Sequence, residues 1–204
     1  DPQAPRTVIV VPSMSLAESE LEKIPGAIHY EERMLCLLML LRLPRTQLIY
    51  VTSIDLDPAV IDYYPHLLPG IPSMHARSRL DLLSLNDPSL RPLSDKIVKH
   101  PDRLAQLKGL IRYPESAHMT CFNSTDLERT LAVGLGVPLY ACDPALSHLG
   151  NKSRSRSLFR KVGLDLPDGF EDLRDRPELV EALVGLHQRN PDLNRAVVKL
   201  NDGF

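Results

Sequence analysis

The chain has 204 residues, of which 43% are hydrophobic and 25% are charged, so it has enough apolar material to bury a core. Its length is long for one domain and short for two. A formal net charge of -2 and an aromatic content of 5%, without tryptophan, argue against a nucleic-acid-binding protein, because they provide neither a basic surface nor a base-stacking platform.

Nothing in the sequence directs the chain to a membrane or to an oxidising compartment. The first residues lead directly into an apolar strand pattern, and no signal peptide is visible. The one long apolar run, from Met34 to Leu41, is too short to span a bilayer and lies between two arginines. The three cysteines are widely spaced and form no CxxC pair, which favours neither a disulfide framework nor a zinc knuckle. We therefore expect a cytoplasmic protein that does not contact membranes.

In chain order, apolar strand patterns alternate with helix patterns. The first strand is a continuous β-branched run that ends at Pro12, which is typical of a strand buried on both faces of a parallel sheet. Ser15 and Glu18 then have the spacing of a capping box, which predicts a helix start. Strands are predicted at residues 6–11, 46–52, 80–85, 117–122 and 137–141.

The helix predicted at residues 29–43 is unusually apolar. It leaves little polar face, so its run from Met34 to Leu41 is either sandwiched in the core or used in an interface, such as that of a homodimer. Further helices are predicted at residues 57–68, at 94–111 with a kink or break at Pro101, and at 127–135 after a capping box of Thr125 and Glu128.

This alternation predicts an α/β fold, doubly wound around a mainly parallel sheet. The rhythm changes near residues 147–150, where we place a domain boundary, so that residues 1–148 form the α/β domain and residues 149–204 begin a second one. In the second part, the patterns predict helices at 152–162 and 178–188 and a strand at 196–200.

Small polar side chains follow the predicted strands, at the sheet edge where doubly wound proteins bind ligands. Taken singly, such residues are also the usual choice for turns and helix caps, so both interpretations are open. The candidates for a substrate-side role are Ser13, Ser15, Ser53, Asn86 and Asn123.

The familiar short motifs of catalysis and nucleotide binding are missing. No GxGxxG follows the first strand, and no GxxxxGK[ST] occurs, so neither a Rossmann dinucleotide site nor a P-loop is indicated. No HExxH and no GxSxG occurs either, which disfavours a zinc protease site and a serine nucleophile elbow.

Two lysines stand out in the last third of the chain. Lys152 opens a predicted helix on which Arg156 and Arg160 share its face, and a solvated basic face, a phosphate site and an RNA patch are the possible interpretations. The net charge disfavours the RNA patch. Lys199 interrupts the apolar run Val197-Val198-Lys199-Leu200, where it either faces water on an alternating strand or contacts a ligand.

Together these residues resemble the ATP-grasp ligases. The resemblance lies in a lysine before a helix, a turn Gly163-Leu164-Asp165-Leu166-Pro167, and a second lysine on a strand before a glycine. It is closer to the peptide ligases of the pheganomycin type and covers nearly the whole chain. The further matching motifs are Tyr30-Glu31-Glu32-Arg33, Tyr50-Val51-Thr52-Ser53, Pro138-Leu139-Tyr140 and Leu149-Gly150-Asn151-Lys152-Ser153.

The resemblance implies a pre-ATP-grasp domain of Rossmann-like fold followed by the first part of an α+β ATP-grasp domain. It implies an ATP-dependent carboxylate–amine ligase that forms a peptide or amide bond through an acyl phosphate. In this family both lysines contact ATP phosphates and the glycine loop closes over them, which makes Lys152, Lys199, Asn201 and Gly203 the expected ATP-binding residues. The ligands of the expected Mg2+ and the catalytic arginine would lie beyond Phe204.

The expected partners are a small-molecule or peptide carboxylate and an amine, with no nucleic acid. The alternative is a non-catalytic α/β module that dimerises or binds a nucleotide or a partner. The sequence that follows Phe204 would distinguish these two functions, because a ligase needs oxygen ligands there for Mg2+ on the ATP phosphates.

Overall fold

The computed structural model describes residues 3–201 and divides the chain into two compact units, Asp1–Pro144 and Ala145–Phe204. The first unit is built on a sheet of four parallel strands in the order β3-β2-β1-β4. This architecture confirms the predicted α/β fold with a parallel sheet. The strands are β1 (Arg6–Val11), β2 (Thr46–Thr52), β3 (Leu80–Ser84) and β4 (Ala117–Cys121).

Helices cover both faces of this sheet, which explains why its strands are continuously apolar. Ile9 and Val11 of β1 point into one buried cluster, while Val8 and Val10 point into a second cluster on the opposite face. The α-helices of the first unit are α1 (Glu18–Leu21), α2 (Pro58–His66), α3 (Ser73–Arg77), α4 (Leu93–Val98), α5 (Pro101–Gly109) and α6 (Asp126–Leu135).

Of three predicted helix signals, two are confirmed and one is wrong. The break at Pro101 is confirmed, because α4 ends before it and α5 begins on it. The capping box of Thr125 and Glu128 is also confirmed at the start of α6. The capping box of Ser15 and Glu18 is wrong, since α1 starts after Ala17 without a side-chain cap and the Ser15 hydroxyl bonds elsewhere.

The long apolar helix is a 3₁₀ helix of 16 residues, Ala27–Arg42, rather than an α-helix. Leu35, Leu38 and Leu41 are buried at intervals of three, and they pack against the sheet. Exposed residues recur at the same interval, at 33, 36, 39 and 42. A 3₁₀ helix has three residues per turn, so residues three positions apart lie on the same face. The exposed residues therefore form one stripe along this helix, although the sequence shows little polar face at an α-helical period.

The predicted fifth strand at residues 137–141 is wrong as a strand. Only Leu139 pairs with the sheet, in a parallel bridge to Met119 of β4. Pro138 has no N–H to contribute to a ladder, which limits this segment to a carbonyl at Pro138 and an N–H at Tyr140.

The second unit contains α7 (Lys152–Lys161) and α8 (Arg176–Arg189), which confirms both helices predicted there. The strand predicted at residues 196–200 is wrong, because these residues form no regular structure and join no sheet in the described part of the chain. Val197 is 79% exposed and Leu200 is 76% exposed. A strand needs a neighbour for its backbone groups, and strand propensity without one does not make a ladder. The assignment of residues 1–148 and 149–204 to two functional domains stays a prediction.

No helix among residues 3–201 is both long enough and apolar enough to cross a membrane.

Candidate functional site

The carboxyl ends of β1 and β4 meet where the strand order reverses, which is the position of the ligand crevice in doubly wound folds. Ser13 and Ser15 follow β1 there. The Ser94 N–H donates to Ser13 Oγ at 3.1 Å, and the Ser13 hydroxyl lies 2.8 Å from that of Ser15. Ser15 in turn donates to the carboxylate of Glu128, so a chain of hydrogen bonds fills the base of the crevice.

Asn123 follows β4 and lies at the same crevice, opposite the residues that follow β1. Its Oδ1 accepts from the Ser15 N–H at 2.9 Å, and its Nδ2 donates to the Ser15 carbonyl at 3.3 Å. Glu128 is completely buried and also accepts from the backbone and hydroxyl of Thr125. The structure therefore brings Ser13, Ser15 and Asn123 together, but in mutual bonds. This arrangement favours the interpretation as turn and cap residues, and their substrate-side role stays a prediction.

Ser53, at the end of β2, belongs to a separate buried network with two charged residues. Ser53 donates its backbone N–H and its hydroxyl to the Glu31 carboxylate, the latter at 2.6 Å. Lys96 Nζ donates to Ser53 Oγ at 2.8 Å and to the carbonyl oxygens of Asp87 and Ser89 at 2.8 and 2.7 Å. All three N–H donors of this ammonium are therefore used, and the network joins the long 3₁₀ helix, β2, α4 and the loop after β3.

Burial controls the protonation of this network. It raises the pKa of Glu31 above its usual value, against the opposing effect of the Ser53 bonds and the nearby Lys96 charge. It lowers the pKa of Lys96, against the attraction of Asp87 and Glu31. Beside these groups lies a pocket of about 20 Å3, which is room for one water molecule and not for a substrate. The network is therefore placed to fix the loops at this sheet edge rather than to hold a ligand.

The loop after β3 carries Asn86, another predicted candidate, and Asp87. Asn86 is exposed and adopts a left-handed backbone conformation with φ 51°, which asparagine tolerates better than most residues. The Asp87 carboxylate accepts from the Ser89 hydroxyl at 2.7 Å and from Arg91 and Arg103 at 3.2 and 3.3 Å. The bonds from Ser89, with that from Arg103, lower the pKa of Asp87 to about 2. The conformation of Asn86 is that of a turn residue, and its substrate role stays a prediction.

Sequence reasoning missed Glu31, Lys96 and Glu128 as members of these networks. The burial of Lys96 could have been predicted, because Lys96 lies on the same helical face as Leu93 and Ile97, where a charge is unexpected. Glu31 and Glu128 were interpreted only by their helix positions, since a carboxylate near a helix start is favourable without any tertiary partner.

In the second unit, the structure places Asn201 at the start of α7. The Asn201 carbonyl accepts from the Lys152 N–H at 3.3 Å, and its side-chain Oδ1 accepts from the Ser153 N–H at 2.9 Å. Asn151, the N-cap residue, accepts from the Arg154 N–H at 2.8 Å. Two of the expected ATP-binding residues, Lys152 and Asn201, are thus brought together across 49 positions of sequence.

Lys199 lies two residues before this contact and is exposed. Within residues 3–201, no side chain forms a hydrogen bond or ion pair with its ammonium group. Gly203, the fourth expected ATP-binding residue, lies outside the described residues. The ligand roles of all four residues stay predictions.

The basic face of α7 is largely committed to ion pairs. Arg156 and Arg160 both donate to the Glu171 carboxylate, and Arg156 also donates to the Pro167 carbonyl at 2.8 Å. These bonds fold the segment after α7 back onto the helix, so the two arginines act in the packing of this unit.

The described residues offer no ready-made metal centre. Among residues 3–201, His, Cys, Asp and Glu side chains form no group of three or more that could hold a metal ion. The expected Mg2+ ligands were predicted beyond Phe204, outside this set.

Comparison with known proteins gives two distant relatives. No protein-family model matches the chain, and no solved structure gives a significant match. The chain is 28% identical over 202 residues to L-propargylglycine–L-glutamate ligase of Streptantibioticus cattleyicolor, an alignment that covers 96% of this chain and 42% of the ligase. It is 26% identical over 214 residues to IQ motif-containing protein H of Danio rerio, covering 97% of this chain and 20% of that protein. The chain thus spans less than half the length of each relative, and one of them is a ligase.

Proposed function

We propose that this chain is part of an ATP-dependent carboxylate–amine ligase that forms a peptide or amide bond through an acyl phosphate. The observation that carries the proposal is the contact of Asn201 with the start of α7, because it places the segment of Lys199 beside Lys152. The similarity to a ligase over 96% of the chain supports the same function, as does the resemblance to the ATP-grasp ligases.

The reaction requires a phosphate clamp more than it requires a catalytic nucleophile. A substrate carboxylate oxygen attacks the γ-phosphorus of ATP, the bond to ADP breaks, and an acyl phosphate forms. The amine then attacks the acyl carbon, releasing inorganic phosphate and a proton. Charge develops on the phosphate oxygens in the first step, and fixed cations there lower its barrier.

Lys152 and Lys199 are the cations that we assign to this task. Lysine binds phosphate as a point charge on a flexible stem, which suits a group that must follow the phosphate through transfer. Magnesium, when bound, would neutralise further phosphate charge, and its ligands would come from outside residues 3–201.

The substrates that we propose are amino acids or short peptides. The ligase relative is named for two amino acids, L-propargylglycine and L-glutamate. In the first unit, Asn86 on the loop after β3 is exposed and stays a candidate for a polar substrate contact.

The test is ATP-dependent phosphate release by the full-length natural protein and its Lys199→Ala and Lys152→Ala variants. Each variant should lower turnover by roughly 100-fold, as loss of one fixed charge-stabilising donor does, while circular dichroism stays unchanged. Lys161→Ala is the matched control, because Lys161 is an exposed lysine at the other end of α7 and should turn over normally. Unchanged turnover in Lys199→Ala would refute the phosphate role of Lys199, whereas absence of ATP-dependent turnover in the natural protein would favour a non-catalytic module.

A further inference from the structure

Within residues 3–201, Asn201 makes the hydrogen bonds that attach the Lys199-bearing segment to the start of α7. Residues 195–200 form no hydrogen bond or ion pair within the described part of the chain. Asn201 then forms two, through its carbonyl to the Lys152 N–H and through its side chain to the Ser153 N–H. These two N–H groups belong to the first turn of α7, where helical partners are missing and an outside acceptor is needed.

This geometry changes the role expected for Asn201. Both of its oxygen acceptors point at backbone N–H groups of α7, so it completes the helix start instead of facing a ligand. The side chain of Asn151 accepts a hydrogen bond from the next N–H group, that of Arg154. The first N–H groups of α7 are therefore satisfied by protein oxygens, and a phosphate near this helix would be held by side-chain ammonium groups.

We propose that Asn201 is a positioning residue that clasps the Lys199-bearing segment to the first turn of α7, so that Lys152 and Lys199 reach the same phosphate group. This inference rests on the proposed function. Lys152 is the residue whose N–H Asn201 accepts, and the Cα of Lys199 lies within about 7 Å of that of Asn201, because two residues of chain span no more. With the clasp closed, both lysine side chains start from one small region.

The clasp is tested by amide hydrogen exchange, with Asn201→Leu and Asn151→Ala as matched variants. Asn201→Leu keeps the branched shape of the side chain but removes its oxygen acceptor, so the Ser153 amide should lose protection. Asn151→Ala removes a cap of the same helix and should expose the Arg154 amide instead. Asn201→Asp keeps an oxygen acceptor at a helix start, where a negative charge is favourable, and should leave Ser153 protected. Unchanged protection of Ser153 in Asn201→Leu would overturn the clasp.

The positioning role is tested by steady-state kinetics of the full-length natural protein. Asn201→Leu should raise KM for ATP roughly tenfold, the cost of one lost hydrogen bond to the position of the clamp, with a smaller effect on kcat. Asn151→Ala should leave KM for ATP within about twofold of the natural value, well under the tenfold of one full bond. An exposed Ser153 amide with an unchanged KM would overturn the positioning role. Absence of any ATP turnover in the natural protein would overturn the proposed function and the positioning role with it, whereas the exchange experiment would still report the clasp.

Discussion

Replacing Lys96 with methionine should destabilise the first unit by about 3 kcal/mol. Lys96 is 1% exposed, and its ammonium donates to Ser53 and to the carbonyls of Asp87 and Ser89. Methionine fills a similar volume but donates nothing, so the buried Ser53 hydroxyl and the carbonyls of Asp87 and Ser89 in partly buried bonds lose their partner. Three bonds from a charged donor at about 1.5 kcal/mol each would cost roughly 4.5 kcal/mol, and relief of the buried charge returns about 1 to 2 kcal/mol of that.

The measurement is the free energy of unfolding in urea, followed by circular dichroism. Lys99→Met is the matched control, because Lys99 lies just after the same helix, pairs with Asp95 at 2.9 Å and has a side chain 61% exposed. Such an exposed pair contributes at most about 1 kcal/mol. Glu31→Gln should be less costly in the Lys96→Met background than alone, since the two charges share Ser53. If Lys96→Met were no more destabilising than Lys99→Met, the network would not hold these loops.

Two further predictions concern the same unit. The folded pKa of Asp87 is lowered to about 2, so its stabilisation is present above its unfolded value of 3.8 and is lost as pH falls from there towards 2. Asp87→Asn should therefore remove roughly 2 kcal/mol at pH 6 and flatten the acid limb of a stability–pH curve measured by urea unfolding, whereas an unchanged limb would contradict the assignment. Leu38→Ala should cost about 2 to 5 kcal/mol in the same assay, and Met39→Ala under about 1 kcal/mol, because Leu38 is buried and Met39 faces solvent at 36% exposure. Similar losses from the two variants would contradict the burial of Leu38 and the exposure of Met39.

The strands of the sheet were predictable because their sequences are locally decisive. Each is a continuous run of branched and apolar residues between turn signals, a pattern that only a strand buried on both faces explains well. The 3₁₀ helix was not predictable in the same way. Cys36 and Met39 are apolar residues at exposed positions, so the exposed stripe with a period of three appears only in the structure.

The two missing strands show what local pattern leaves out. Residues 137–141 and 196–200 are rich in strand-forming side chains, yet neither forms a full ladder in the described structure. Pairing depends on where a neighbouring strand lies and on whether each backbone group can donate. Pro138 removes one donor in the first segment, and the second has no neighbouring strand among the described residues of its unit.

The sequence predicted where the candidate residues of the first unit lie, but it did not predict their hydrogen-bond partners. Serine and asparagine after a strand predict the sheet edge, and the structure places Ser13, Ser15 and Asn123 there. Their hydrogen-bond partners come from residues about 80 to 110 positions away, such as Ser94 and Glu128. No local pattern carries that information, so sequence could not distinguish an open binding edge from one closed by its own bonds.

The sheet edge of the first unit is closed by its own hydrogen bonds, which makes the second unit the better candidate for ligand binding. Ser13, Ser53 and Glu128 are buried and bonded, so a ligand could use them only by displacing internal hydrogen bonds at a cost of about 1 to 3 kcal/mol for each group. Lys199 carries no such cost, because it is exposed and forms no ion pair among residues 3–201. A polyphosphate would gain its binding energy there without breaking any described contact. The lysine-bearing segments of the second unit are therefore better candidates for phosphate binding than the polar residues at the sheet edge of the first unit.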